Sequence, residues 1–311
     1  MDKKQTTETI TTEAITIETN PEPSDWKQAT GEINIRLVND FLFRALLQRN
    51  NHVLKGLIAS LLHMQMDEIQ SVTIENEIVL GEHIPDKTFI LDIRVLMNDD
   101  SLINLEMQVI NQQNWVERSM SYLCRCFDNI PKGEDYINVK PVVQIGLLDY
   151  TLFPESPEFY ASYYLMNEKS YQIYSDKLHL CVLDLTHIDL ATEEDKRYGI
   201  DHWARLFKSH TWEELKMLAE KNPIIDDAAS TIYSISQDSI MLEKIRAREE
   251  AIAHENYMRK QLEEQHKQLH EQAKQLGIQS KQLDEKDKQL NEKDALIARL
   301  LRENEELRRN Q

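Results

Sequence analysis

The feature that most constrains the fold is a pair of alternating segments within residues 89–110, which read FILDIRVLMNDDSLINLEMQVI. Apolar and polar side chains alternate in both halves, and Asn98, Asp99 and Asp100 separate them. Alternation with a period of two is typical of half-buried strands, and polar residues of this kind join hairpin strands. The segment therefore predicts a β-hairpin in which Met97 pairs with Ser101.

The two faces of this hairpin are predicted to differ in polarity. One face is entirely apolar and belongs against a core; it carries Leu91, Ile93, Val95, Met97, Ile103, Leu105, Met107 and Val109. The other face carries Asp92, Arg94, Asn104, Glu106 and Gln108. In this register Asp92 lies opposite Glu106, which brings their Cβ atoms to about 5 Å.

Two carboxylates at this spacing repel each other unless a cation lies between them. Oxygen ligands of this kind suit Mg²⁺ or Mn²⁺, which bind through one or two carboxylates and keep several waters. Such an ion can activate a water and neutralise charge on a phosphodiester. Alternation alone is equally consistent with a solvated polar sheet face, so the residues leave both interpretations open.

Three regions are expected along the chain: a disordered N-terminal arm over residues 1–32, a folded domain over 33–238, and a helical tail over 239–311. The arm is rich in Thr and Glu and has no sustained period. Within the domain, apolar stripes predict helices near residues 40–47, 53–62, 115–130, 203–207, 212–221 and 228–235, and strand patterns occur at 71–80, 141–148 and 178–184. Strands interleaved with helices predict an α/β or α+β domain, with a mixed central sheet flanked by helices.

The tail contains a strict seven-residue repeat. Lys-Gln-Leu recurs five times between residues 260 and 290, which is the period of a coiled coil. The second core position is mostly polar, with Arg259, His266, Ala273, Ser280 and Asp287 three residues before each leucine. A parallel homodimer through residues 260–301 and a solvated single helix held by i,i+4 charge pairs both remain open.

The net charge of −18 is located in the domain. Residues 1–30 hold six acids and three bases and residues 241–311 hold fifteen of each, which leaves −15 for residues 31–240. This acidity counts against strong binding of duplex DNA, whose phosphates are met by Lys and Arg. The sequence shows no signal-peptide pattern and no apolar segment long enough to span a membrane, so no membrane partner is expected. Its three cysteines lack the spacing of a disulfide framework, which predicts reduced thiols and a cytoplasmic protein.

The order of motifs resembles the PD-(D/E)xK nuclease core, and within it the recombination-promoting nuclease/putative transposase branch. Asp92, then about fourteen residues, then Glu106-x-Gln108 forms the centre of the match. The resemblance covers roughly residues 35–240. Its further elements are Asn39-Asp40-x-x-Phe43, Lys87 ahead of Leu91-Asp92-Ile93, Arg118 and Tyr122, Gly133-x-Asp135-Tyr136, and Pro141-Val142 running into Ile145.

The resemblance implies that Asp92 and Glu106 hold Mg²⁺ or Mn²⁺ and that Gln108 stands at the usual lysine position. Glutamine offers a neutral dipole in place of a positive charge, so water activation would depend more on the metal. Asp40 would be a further acid near the metal or, alternatively, a residue that stabilises a helix start. Arg118 and Arg125 lie on one side of a predicted helix with Tyr122, where they would steady a phosphate or form a solvated stripe.

Three functions follow from these observations. The first is a metal-dependent DNA endonuclease of the recombination or transposition type, with Asp92, Glu106 and Gln108 as catalytic residues. The second is a weakly active or inactive nuclease-fold protein that assembles through its helical tail, which the acidic domain and Gln108 favour. The third is a phosphodiesterase acting on RNA or small nucleotides, which would use the same site chemistry. No helix-turn-helix or zinc finger is recognisable, so no sequence specificity is expected from the sequence.

Overall fold

The structure, a computed structural model, describes residues 25–76, 92–128, 130 and 132–309. The chain divides into two units, one ending at Glu249 and the other beginning at Glu250. The first unit is built on a six-stranded sheet in the order β1-β2-β3-β4-β6-β5. Its strands are β1 (Val72–Ile74), β2 (Ile93–Met97), β3 (Ser101–Gln108), β4 (Val142–Leu148), β5 (Tyr160–Met166) and β6 (Ile173–Asp184).

The predicted hairpin is confirmed where the structure describes it. Strands β2 and β3 pair antiparallel with Met97 opposite Ser101 and Ile93 opposite Leu105. Asn98 and Asp99 adopt the left-handed backbone conformation, with φ of 51° and 60°. Asn and Asp tolerate this conformation better than most residues, which explains why the chain reverses here. Residues 89–91 of the predicted hairpin, and Lys87, lie outside the described residues.

The sheet is mixed, as expected. Strands β1, β2 and β3 are antiparallel neighbours, β3 and β4 are parallel, β4 and β6 are parallel, and β5 pairs antiparallel with β6 at the edge. The parallel step from β3 to β4 contains helix α3 (Trp115–Phe127), as a parallel pair requires a crossover. Helices therefore cover the sheet, and the fold is α/β.

The main core lies on the apolar side of the hairpin. Ile93, Val95, Ile103 and Leu105 are fully buried there among the helices of the opposite layer. These helices are α1 (Asp40–Arg49), α2 (Asn51–Leu61), α4 (Glu193–Arg197), α5 (Ile200–Lys208), α6 (Trp212–Ala219) and α7 (Pro223–Gln237). The expected division of the hairpin into a core face and a polar face is thus confirmed for the core face.

Helix α3 lies on the other side of the sheet. Its first residue, Trp115, packs so closely on β4 that a Cβ atom on Gly146 would stand 2.1 Å from the indole ring. Only glycine permits this approach. Farther along α3, Leu123 and Cys126 pack on Leu102 and Val142. The helix ends at Phe127 rather than at the predicted residue 130. It covers the hairpin face on which the polar residues Glu106 and Gln108 lie.

Two features of the first unit differ from the expectation. Residues 25–32 are ordered rather than part of a disordered arm: Trp26 lies in a 3₁₀ turn and is 2% exposed, and Glu32 forms a β-bridge with Thr211. These contacts are long-range, so composition could not reveal them. Residues 1–24 lie outside the described residues. The edge strand β5 was not predicted, because its sequence YASYYLM does not alternate.

Helix α8 spans Ser239–Arg309, and its first eleven residues belong to the first unit, which ends at Glu249. In the second unit, the repeat leucines Leu262, Leu269, Leu276, Leu283 and Leu290 are each 55–66% exposed. The i,i+4 pairs Arg259–Glu255 and Lys267–Glu263 run along the same helix. Within the described residues, no helix is long and apolar enough to span a membrane.

Candidate active site

The hairpin brings the two predicted carboxylates to the same end of β2 and β3. Asp92 immediately precedes β2 and Glu106 lies on β3. The antiparallel register ends with Ile93 opposite Leu105, so its continuation by one residue places Asp92 opposite Glu106. The two side chains lie on the sheet face covered by α3, and they differ in exposure because Asp92 is half-buried whereas Glu106 is only 3% exposed.

The Glu106 carboxylate has one bound and one unbound oxygen. Arg118 Nη2 of α3 lies 2.5 Å from Oε1, and Gln108 Nε2 donates to the same oxygen at 2.5 Å. Oε2 is buried and has no hydrogen-bond partner among the described residues. A buried carboxylate oxygen without a partner is costly, which makes it a candidate for a ligand absent from the structure.

Burial raises the pKa of Glu106 above its usual range. Arg118 and Gln108 act in the opposite direction and the charge of Asp92 adds a smaller upward contribution, but the effect of burial prevails. The carboxylate is therefore harder to ionise than a surface glutamate. A bound cation would favour its charged form.

Arg118 is held between Glu106 and an aromatic ring. Its guanidinium lies 5.2 Å from the centre of the Tyr122 ring, one turn farther along α3. Burial acts to lower the pKa of Arg118. The electrostatic interactions with Glu106, Tyr122 and Asp92 outweigh burial and raise the pKa above its usual value, so the guanidinium stays charged. Arg118 thus provides beside Glu106 the positive charge that Gln108 does not.

The backbone at Asp92 is fixed by a residue that the sequence analysis did not single out. Arg44 of α1 is fully buried and donates from its two terminal nitrogens to the carbonyl oxygens of Asp92 and Asn76. Asn76 Nδ2 also donates to the Asp92 carbonyl, at 3.0 Å, and Asn76 Oδ1 accepts from the amide of Arg94. The signal in the sequence was an arginine within an otherwise apolar helical stripe.

Asp40 takes part in a different interaction. Its carboxylate accepts a bidentate contact from Arg248 of α8, at 2.5–2.9 Å, and it also accepts from the amide of Phe41. The side chain that caps α1 is that of Asn39, which accepts from the amide of Leu42. The contacts of Asp40 are thus with Arg248 and with the start of α1.

The remaining accessory residue, Arg125, is exposed on α3. It is close enough for its charge to act on the hydroxyl of Tyr122, whose pKa is raised mainly by burial. Arg118, Tyr122 and Arg125 thus share one side of α3, as the spacing predicted. Only Arg118 contacts a hairpin carboxylate.

The residues present fit a divalent ion of the Mg²⁺ class. Asp92 and the free oxygen of Glu106 offer two hard oxygen ligands, which is the number such ions commonly take from protein while keeping waters. In the described part of the chain, no group of three or more His, Cys, Asp and Glu side chains could hold a metal ion. Two protein ligands would leave the other positions of such an ion to water and substrate.

A comparison with families finds that residues 37–261 match the family described as PD-(D/E)XK nuclease family transposase. A search of curated proteins returns no match, and a search of solved structures returns none either. The match includes the hairpin, α1 and α3 and hence every residue of the candidate site. Because it spans well over half of the 311 residues, the chain belongs to the PD-(D/E)XK nuclease transposase family.

Proposed function

We propose that this protein is a divalent-metal-dependent DNA endonuclease that acts in recombination or transposition in the cytoplasm. The observation that carries the proposal is the buried Glu106 carboxylate, which has one oxygen without a partner and stands at the Asp92 end of the hairpin. Such an oxygen is satisfied by a cation, and members of this fold family use divalent metals.

Each residue of the site has a distinct task in this proposal. Asp92 and Glu106 hold Mg²⁺ or Mn²⁺, which supplies an activated water and neutralises charge on the phosphodiester. The Gln108 amide orients a water and does not accept a proton, because an amide is not a base at neutral pH. Arg118 pairs with Glu106 and would also pair with a scissile phosphate.

Arg44 is a positioning residue in this scheme. Its guanidinium fixes the Asp92 carbonyl from the core side, so the Asp92 side chain leaves the sheet at a defined point. A buried fork of two hydrogen bonds tolerates little movement, and metal ligands must be held within a fraction of an ångström.

A cleavage assay tests the proposal. Plasmid, single-stranded DNA and RNA are incubated with wild-type protein in Mg²⁺, in Mn²⁺ and in EDTA, alongside Asp92→Ala and Glu106→Ala. We expect metal-dependent cleavage of DNA that both variants lose by at least a hundredfold, about 2.7 kcal/mol in transition-state stabilisation. Asp100→Ala is the matched control, since Asp100 is an exposed acid in the loop of the same hairpin.

Residual cleavage by Asp92→Ala equal to that of wild type would identify a contaminating nuclease and refute the proposal. Cleavage of RNA in preference to DNA would instead assign the same site chemistry to a different substrate.

Three observations favour a second function: the net charge of −15 on residues 31–240, the neutral Gln108 at the usual lysine position, and the exposed leucines of α8. In this alternative the protein keeps the nuclease fold without strong activity and assembles through its tail. It predicts no metal-dependent cleavage of any nucleic acid together with self-association through residues 260–301.

A further inference from the structure

The sheet ends in an edge strand that lacks the charged residues and prolines by which such edges are commonly protected. Strand β5, YASYYLM, contains no charged residue, no proline and no glycine. Four of its residues, Tyr163, Tyr164, Leu165 and Met166, are 37–53% exposed. Soluble proteins normally shorten such edges or place charges on them, because an uncovered edge pairs with other strands. The opposite edge strand, β1, has only three residues.

Within the described residues, β5 hydrogen-bonds to β6 on one side and to no strand on the other. Its register against β6 is regular from Tyr160 to Tyr164 and shifts only over the last two residues. Among the residues that the structure describes, the outer side of β5 therefore has no strand partner for its N–H and C=O groups.

An apolar groove adjoins this edge on the face that carries α3. The groove has a volume of about 320 Å³, and among the residues that line it Ser119 is the only one with neither an aliphatic nor an aromatic side chain. Val116, Met120 and Phe153 contribute to it and are 45–49% exposed. Together with Tyr163 and Leu165 they form a contiguous apolar patch, which marks a surface for association with protein.

The charge at this surface favours a neutral partner. Residues 160–183 contain two acids, Glu168 and Asp176, and two lysines, Lys169 and Lys177. The edge is therefore neutral although the unit as a whole is strongly acidic, so two copies do not repel each other here. Phosphates would find no cationic surface along β5.

We propose that β5 is a self-association edge, at which two copies of the chain pair antiparallel across a two-fold axis. Alignment over all seven residues places Tyr163 opposite Tyr163 of the second copy, and Ala161 opposite Leu165. Residues directly opposite in an antiparallel pair share a face, so both Tyr163 rings lie beside the groove, and cross-strand aromatic pairs are stabilising. The arrangement is isologous and closes at two copies.

The heptad leucines of α8 are an independent reason to choose a second copy as the partner. Each of the five is more than half exposed in the single chain, and a seven-residue leucine period is satisfied by another helix of the same repeat. The test therefore separates the two contacts. It uses the full chain with and without Leu269→Glu, Leu276→Glu and Leu283→Glu, which remove association through the tail.

Sedimentation of the tail-substituted protein at micromolar concentration is expected to give a dimer. Tyr163→Lys places two lysines opposite each other at the axis and should convert it to a monomer. Met217→Lys, a change of an equally accessible apolar residue on α6 (60% exposed), should leave it dimeric. Circular dichroism is used to check that each variant is folded. A monomeric tail-substituted protein, or a dimer unaffected by Tyr163→Lys, overturns the proposal.

Disulfide trapping tests the register without relying on a loss of binding. Tyr163→Cys is made in a Cys124→Ser background, because Cys124 is the exposed native cysteine and Cys126 and Cys181 are buried. Oxidation should yield a covalent dimer, since opposed residues of an antiparallel pair lie within disulfide reach. Met217→Cys in the same background is the control. Equal cross-linking of the two variants overturns the pairing at Tyr163.

Discussion

Arg118→Ala removes the cation closest to Glu106 and leaves a buried carboxylate behind. In the structure Arg118 Nη2 lies 2.5 Å from Glu106 Oε1, and the two side chains are 33% and 4% exposed. Removal of one partner from a buried pair costs about 3–5 kcal/mol. Because a third of the Arg118 side chain is exposed, solvent screens part of the attraction, and we expect the free energy of unfolding to fall by about 2 kcal/mol in EDTA.

Saturating Mg²⁺ should restore most of this loss if the ion binds Glu106, because it replaces the missing positive charge. A ligand at a hundredfold excess over its Kd stabilises the folded state by about 2.7 kcal/mol. Wild-type protein should gain less, since Arg118 competes with the ion for the same carboxylate. The variant should therefore bind Mg²⁺ more tightly while it cleaves DNA more slowly, because it lacks the guanidinium that we propose pairs with the phosphate.

Urea unfolding in EDTA and in Mg²⁺, together with calorimetric titration of Mg²⁺, measures both effects. Arg125→Ala is the matched control, because Arg125 is exposed on the same side of α3 and such surface changes shift stability by less than about 0.5 kcal/mol. If Arg118→Ala is as stable as wild type in EDTA, the ion pair does not hold the site. If Mg²⁺ stabilises both proteins equally, the ion does not bind at Glu106.

Three further predictions follow from the same structure. Arg44→Met removes a donor from the carbonyls of the half-buried Asp92 and Asn76 and should cost about 3 kcal/mol. It should also weaken Mg²⁺ binding because the Asp92 backbone is released, and an unchanged Mg²⁺ affinity would contradict the positioning role of Arg44. Burial raises the pKa of Glu106, so in EDTA the free energy of unfolding should fall as pH rises from the ordinary glutamate pKa to this raised pKa. The gain in Tm on adding Mg²⁺ should grow over the same pH range. A gain in Tm that is independent of pH would exclude this carboxylate as a ligand. A peptide of residues 250–311 should sediment as a weak dimer that Leu276→Glu converts to a monomer, and a wild-type monomer at high micromolar concentration would leave α8 as a solvated single helix.

The hairpin is the part of the fold that the local sequence predicted most completely. Its register follows from a two-residue period and from Asn98 and Asp99, which tolerate the left-handed conformation, and both are properties of neighbouring residues. The helices α1, α2 and α3 begin close to where their apolar stripes and polar starting residues predicted. Strand β5 was missed because its residues do not alternate, and its strand conformation depends on pairing with β6.

The sequence by itself determined that Asp92, Glu106 and Gln108 lie on the same side of the sheet, because the parity of positions along a strand fixes the side on which each side chain lies. It could not determine what covers that side. The tertiary structure placed α3 over Glu106, brought Arg118 to one carboxylate oxygen and left the other without a partner. It also brought the Arg44 guanidinium into a hydrogen bond with the Asp92 carbonyl and paired Asp40 with Arg248, 208 residues away in the sequence. These contacts join segments distant in sequence, so they depend on packing that no local period encodes.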